Sequence, residues 1–268
     1  KRSYDENYLS ALQEKNKVFP LGLNYSVSSS TKDFFKVQRA QFYDSKDKLK
    51  TIIKGLKIPE TFGKSGEIEQ IKNLEALPDF TAEPKIIFMA RVWNPENIES
   101  EQKDPVEKIN ETRADCVRIL KKNFGDRFFG GLAHDDFSLK YFKDCLLSDQ
   151  TLSNKKKYLE TLKNFPICVA TTGLNNSIGW KFGEYVALSK AIITEPLFFQ
   201  VPGNFESEKN YLEFTTPESL LDEATKLFEN RNLRSELMIN NYRYYQAFLR
   251  PDALVLNTLS TVFQNSNL

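Results

Sequence analysis

The sequence predicts an α/β protein with a Rossmann-like parallel sheet covered by helices on both faces. Three observations predict it: short apolar runs alternate with longer helical periodicities after residue 84, the first of those runs stops at a turn signal, and no internal repeat competes with that rhythm. A chain of 268 residues is at the upper edge for one core or makes two modest lobes, and such a chain buries roughly three quarters of its extended surface.

KIIFMARVW, 85 to 93, is of strand length and ends at Asn94-Pro95. Asp104, Pro105 and Glu107 then supply an N-cap, a proline at the first helical position and the far end of a capping box. Val106, Ile109, Val117, Leu120 and Phe124 keep helical spacing from there to a stop at Gly125. RFFGGLA, 127 to 133, is a second strand, Lys155 to Lys163 a helix, and FPICVATT, 165 to 172, a third strand. GEYVALSK, 183 to 190, reads as a short helix and AIITE, 191 to 195, as a fourth strand. Thr216-Pro217 caps a helix carrying Leu220, Leu221, Ala224, Leu227 and Phe228. A final helix carries Leu233, Leu237, Tyr242, Tyr245 and Phe248 before Pro251, and residues 251 to 268 are a tail or helix. Residues 1 to 83 have a different texture, with the apolar stretch 18 to 27 and a helix expected from Asp47 to Leu56. The loop-like LPDFTAEPK, 77 to 85, marks the boundary.

Composition removes whole classes. The only histidine is His134, so histidine-rich metal sites cannot be assembled within this chain. Net charge is +1, from 37 Lys and Arg against 36 Asp and Glu, which argues against nucleic acid as a main partner. Lys155, Lys156 and Lys157 are the one basic run and read as a solvated helix face. Cys116, Cys145 and Cys168 form no CxxC pair and read as reduced core thiols of a cytosolic protein. No apolar run reaches the roughly 20 residues of a membrane span.

In an open parallel sheet, ligands bind outside the carboxyl ends of the strands. Arg91 follows the first strand, where its planar guanidinium suits a diphosphate; a surface ion pair is the competing reading. TTGLNNSIGWKFGEY, 171 to 185, follows the third strand and opens into a helix at Glu184, offering backbone N–H groups to an anion. It is neither a Walker sequence nor GxGxxG. Glu184 in the first helical turn either complements the helix dipole or accepts hydrogen bonds from ribose hydroxyls. His134-Asp135-Asp136 reads as a polar loop at the cleft rim, with a general base or metal pair as the alternative. Trp93, Trp180, Tyr211 and Tyr242 to Tyr245 read as core or interface residues, Trp180 keeping a sugar-stacking alternative.

GWKFGEYVALSKAIITEP, 179 to 196, resembles the donor-binding segment of GT-B glycosyltransferases of the "glycosyl transferases group 1" type. KIIFMARVWNP resembles the first strand of their C-terminal domain, and KNYLEFTTPESLLDEATKLFEN, 209 to 230, the segment that closes the nucleotide pocket. The likeness covers about 84 to 250. It implies a nucleotide-sugar-dependent glycosyltransferase, with a carbohydrate or lipid-linked acceptor and no cofactor beyond the nucleotide-diphosphate sugar donor. It implies that Arg91 contacts the diphosphate, with Lys181 as a second candidate, and that Glu184 binds the donor ribose. Gly173, Leu174, Asn175, Asn176 and Ser177 would shape the sugar pocket. The chain departs from the family at Asn176, where many retaining members have a first glutamate, and at Ser189-Lys190-Ala191, which replaces the customary Gly-Thr-Pro.

About 83 residues cannot hold a whole acceptor lobe. Residues 1 to 83 therefore read as its tail or a reduced substitute, in a chain that begins at Lys1 without an initiating Met. The implied location is cytoplasmic, at most peripheral to the inner membrane surface. A non-catalytic nucleotide or nucleotide-sugar binding module stays open as the alternative.

Overall fold

Five strands pair in parallel in the order β2-β1-β3-β4-β5. They are β1 (Ile86–Ala90), β2 (Phe128–Leu132), β3 (Ile167–Ala170), β4 (Ala191–Thr194) and β5 (Tyr211–Glu213). The computed structural model describes residues 4–10, 18–25, 27–28 and 69–265; the helix expected from Asp47 to Leu56 lies outside them. Seven helices concern the site and its support: α1 (Lys103–Phe124), α2 (Asp136–Tyr141), α3 (Lys155–Lys163), α4 (Trp180–Ala187), α5 (Pro217–Glu229), α6 (Arg231–Tyr244) and α7 (Pro251–Asn265).

Alternation along β1 builds a core on each side of the sheet. Ile86, Phe88 and Ala90 pack with Ala114, Val117 and Leu120 of α1, and with α5 and α6. Ile87 and Met89 face the other way, toward Tyr158, Leu159 and Leu162 of α3 and Phe182, Tyr185 and Val186 of α4. All five residues of β1 are buried, as a strand covered by helices on both faces requires. Cys116, Cys145 and Cys168 are free and buried, as their spacing suggested.

Four sequence expectations are corrected. Tyr211–Glu213 is a fifth strand where the sequence pattern announces none, because three residues carry too little pattern and are held by pairing with β4. Helix α1 has no capping box at Asp104: a 3-10 turn at Ser100–Gln102 runs straight into it, and Gln102 caps without a side-chain bond. Pro105 is then the third helical residue, where its missing N–H still costs nothing. Helix α4 begins at Trp180, so Glu184 stands in its second turn and has no part in neutralising the helix start. The last helix before Pro251 is two pieces, α6 and a π-helical turn at Tyr245–Leu249.

Other expectations hold closely. Helix α3 spans the residues expected of it. Gly125 ends α1 at φ 52°, and Thr216 caps α5 with Pro217 at its first turn.

The described N-terminal residues pack on this domain. Leu23 and Leu74 are buried in the α3/α4 core, the Tyr25 hydroxyl pairs with that of Tyr245 at 2.9 Å, and Ala76 exchanges backbone and side-chain bonds with Ala187 and Ser189. Gly183 is the contact point on α4: a Cβ there would lie 2.9 Å from the Asn24 carbonyl oxygen. No helix among the described residues is long and apolar enough to cross a membrane.

Candidate functional site

The order β2-β1-β3 places a topological switch point between β1 and β3, where crossovers leave in opposite directions and a crevice opens at the carboxyl ends. Here the crevice goes deeper than the loops. Strands β1 and β3 pair only at Ile86 with Ile167 and Ile87 with Cys168, and separate beyond that. Carbonyls released from the ladder must find other donors, and two cations from opposite faces of the sheet supply them.

From the α1 side comes Arg113, buried. Its guanidinium donates to the Arg91 carbonyl at 2.6 Å, the Thr171 hydroxyl at 3.0 Å and the Thr172 carbonyl at 2.9 Å. It also lies 4.5 Å from the Trp93 ring centroid. One side chain thus ties together the segments that leave β1 and β3. Asn110, one turn earlier on α1, clasps the Trp93 backbone through both N–H and C=O. Burial lowers the Arg113 pKa to about 10, against the opposing influence of Glu195. Glu195, at the end of β4, accepts from the Thr172 N–H at 2.6 Å and its hydroxyl at 3.0 Å.

From the α4 side comes Lys181, whose ammonium donates to the Met89 carbonyl at 2.7 Å. Its pKa is lowered to about 8, chiefly by burial, and further by the charges of Arg91, Lys155 and Arg113, while Glu184 opposes. The Glu184 side chain is only 2% exposed; one carboxylate oxygen accepts from the Lys155 ammonium, and the other has no hydrogen-bond partner. Lys155 is therefore not part of a solvated helix face, because the carboxylate on α4 draws it inward; Lys157 does reach outward, to Asp149.

The loop after β3 closes on itself. Gly173 N–H donates to the Ser177 carbonyl at 2.9 Å across a 3-10 turn at Leu174–Asn176. Asn175 and Asn176 take left-handed conformations with φ 55° and 54°, which asparagine tolerates better than most residues. A Cβ at Gly173 would fall 2.7 Å from the Ser177 hydroxyl oxygen, so a larger residue there would have to turn that side chain aside. Both asparagines are exposed.

The residues named from the sequence thus gather at one end of the sheet: Arg91 exposed after β1, the Gly173–Asn176 turn after β3, and Lys181 and Glu184 on the helix that follows. His134 has a structural role. Its Nδ1 faces the Gln150 amide, a donor, so Nε2 carries the proton and donates to the Leu147 carbonyl at 2.7 Å. Asp135 caps α2 through a capping box with Ser138. Trp180 is 53% exposed at the start of α4, while Tyr211, Tyr244 and Tyr245 are core residues.

Arg113, Asn110, Lys155 and Glu195 were missed as site residues. A signal for two of them existed. Asn110 and Arg113 fall on the apolar stripe of α1, four residues after Val106 and four before Val117 respectively, and polar residues on a buried stripe need partners.

No protein-family model and no curated protein matches the chain. Solved structures resemble it in fold. One is the C-terminal domain of a glycosyl transferase group 1 family protein (LpcC) from Francisella tularensis, at 11% identity over 66% of this chain and 95% of that one, with TM-score 0.47. Another is TarM, at 15% identity over 81% of this chain but 42% of that one, with TM-score 0.47. A third is HepE from Anabaena in complex with UDP, at 11% identity over 99% of this chain and 69% of that one, with TM-score 0.45.

Proposed function

We propose that residues 84 to 250 are the donor-binding lobe of a GT-B glycosyltransferase, which moves a sugar from a nucleoside-diphosphate donor to a carbohydrate or lipid-linked acceptor. The observation that carries this reading is the gathering of Arg91, Arg113, Lys155 and Lys181 around the switch-point crevice, with Glu184 and Glu195 as the carboxylates that act on them among the described residues. A crevice with excess fixed positive charge suits a small polyanion, and a diphosphate presents two such groups to guanidinium and ammonium donors. The unpartnered oxygen of Glu184 is an acceptor with no donor, a deficit that a ligand hydroxyl would fill. The resemblance of 179 to 196 to the donor segment of that family supports the same assignment.

In this reading Arg91 offers its exposed guanidinium to the diphosphate, Lys181 adds charge from behind, and Arg113 acts through the loops it holds. As the glycosidic bond breaks, negative charge grows on the phosphate oxygens. Cations already in place stabilise that charge more in the transition state than in the ground state. Arg91→Ala should therefore lower kcat with a matched donor and acceptor; an unchanged kcat removes Arg91 from the chemistry. Glu184→Ala should weaken nucleoside-diphosphate affinity by about 1–3 kcal/mol, the value of a hydrogen bond to a charged group. Equal calorimetric affinities for the two proteins would exclude the ribose role.

One observation favours a second reading. Asn176 stands, exposed and left-handed, where many retaining members have a glutamate, which suits a module that binds without transfer. Release of free sugar from the donor, or transfer to an acceptor, separates the two.

A further inference from the structure

Lys155 pairs with the buried Glu184 carboxylate. The Glu184 side chain is 2% exposed, whereas Lys155, at the first residue of α3, is 30% exposed and is the outer member of the pair. Its ammonium also lies 5.3 Å from the Tyr158 ring centroid, a second contact on the same helix. The second Glu184 oxygen is buried and without a partner. A ligand that approaches this carboxylate meets the Lys155 ammonium on its first oxygen, and a buried carboxylate stripped of its cation is costly. A neutral polyol offers only uncharged donors in exchange for an ammonium. A ligand that brings hydroxyls for Glu184 and an anion for Lys155 replaces both halves of the pair, and other cations stand near to share that anion: Arg91, Arg113 and Lys155 all act on the Lys181 ammonium, which donates to the Met89 carbonyl at the end of β1.

We infer that Lys155 is a specificity-determining residue, which leaves Glu184 for the diphosphate as the ribose hydroxyls take its place, so that the site accepts a ribonucleoside only with its phosphates attached. This rests on Glu184 being the ribose contact. It adds that selection against bare nucleosides is made by a displaceable lysine, and not by the phosphate contacts alone.

The test measures dissociation constants for uridine, cytidine, adenosine and guanosine and for their 5′-diphosphates, with the full chain, K155M and K155R. The unaltered chain should prefer the diphosphate of at least one base over its nucleoside by about a hundredfold or more. K155M should narrow that preference at least about tenfold, the value of one charge-assisted hydrogen bond, because diphosphate affinity falls while nucleoside affinity holds or rises. K155R should restore it. If K155M does not fold, K155Q, which keeps a neutral donor near Glu184, carries the same expectation.

Parallel losses for nucleoside and diphosphate would show a merely structural pair and overturn the inference, as would an unchanged preference. Absence of diphosphate binding by the unaltered chain would instead overturn the underlying donor-site reading, and the inference with it.

Discussion

Lys181 is a residue whose two states pull stability and binding in opposite directions. Its pKa is lowered to about 8 in the folded chain from an ordinary 10.5. Between those values the unfolded chain holds the proton that the native chain has released, so this group's contribution to stability rises with pH across that window. Diphosphate affinity should do the reverse, since a neutral amine contributes no charge. The expected outcome is an affinity that falls as pH rises through about 8, with the fall removed in Lys181→Met; calorimetric titrations from pH 7 to 9 measure it. Ser189 offers a second single-residue test. It occupies the position where glycine is customary in the resembled family, has φ 53°, and is buried with its hydroxyl donating to the Ala76 carbonyl at 2.6 Å. Left-handed backbone costs a non-glycine residue about 1–2 kcal/mol, and the hydrogen bond returns about 1 kcal/mol. Ser189→Gly should thus stay within about 1 kcal/mol of the parent, while Ser189→Ala keeps the strain, loses the bond and should destabilise by about 1–3 kcal/mol. Urea unfolding of both variants distinguishes the two.

At the scale of elements, α4 does the most for the site. It carries Lys181 and Glu184 on the residues that follow the Gly173–Asn176 turn, and its buried face packs on Met89 and Cys168 through Phe182, Tyr185 and Val186. Glycine inside a helix is usually a liability of about 0.5–1 kcal/mol relative to alanine. At Gly183 the balance is reversed, because the chain at Asn24 crosses so closely that a methyl group would strike its carbonyl oxygen. Gly183→Ala should destabilise the protein by about 1–3 kcal/mol, as overpacking does, rather than stabilise it. A thermal midpoint equal to or above the parent's would mean that residues 22 to 25 do not seat against α4 in solution. Helix α1 has a comparable double role. Its apolar stripe packs on β1, and the two polar residues set into that stripe, Asn110 and Arg113, hold the strand ends that frame the crevice.

For the whole molecule, described residues on both sides of the boundary read near residue 83 share a core. Leu74 has no exposed surface and belongs to the same core as Ile87 and Tyr185. Leu74→Ala should therefore cost about 2–5 kcal/mol, as a fully buried leucine does, with one cooperative unfolding transition. A loss below about 1 kcal/mol would make residues 84 to 250 self-sufficient. Much of this architecture was legible beforehand. Strands β1 to β4 and helices α3 and α5 announce themselves because burial on two faces imposes continuous apolar runs, and capping imposes Thr216-Pro217. Arg91 and Glu184 stand out as candidates because ligands of open parallel sheets bind beyond the strand ends, wherever the chain leads afterwards. Strand β5 could not be read, since three residues carry no period and pairing with β4 alone makes them a strand. Nor could the partners of the charges. That Lys155 pairs with Glu184, 29 residues on, and that Arg113 spans the ends of β1 and β3, depends on which side chains the crossovers bring within about 3 Å of one another. Local patterning determines which segments become strands and helices and which faces they bury. Long-range packing alone decides which buried charges meet, because a buried charge takes whatever partner the fold delivers.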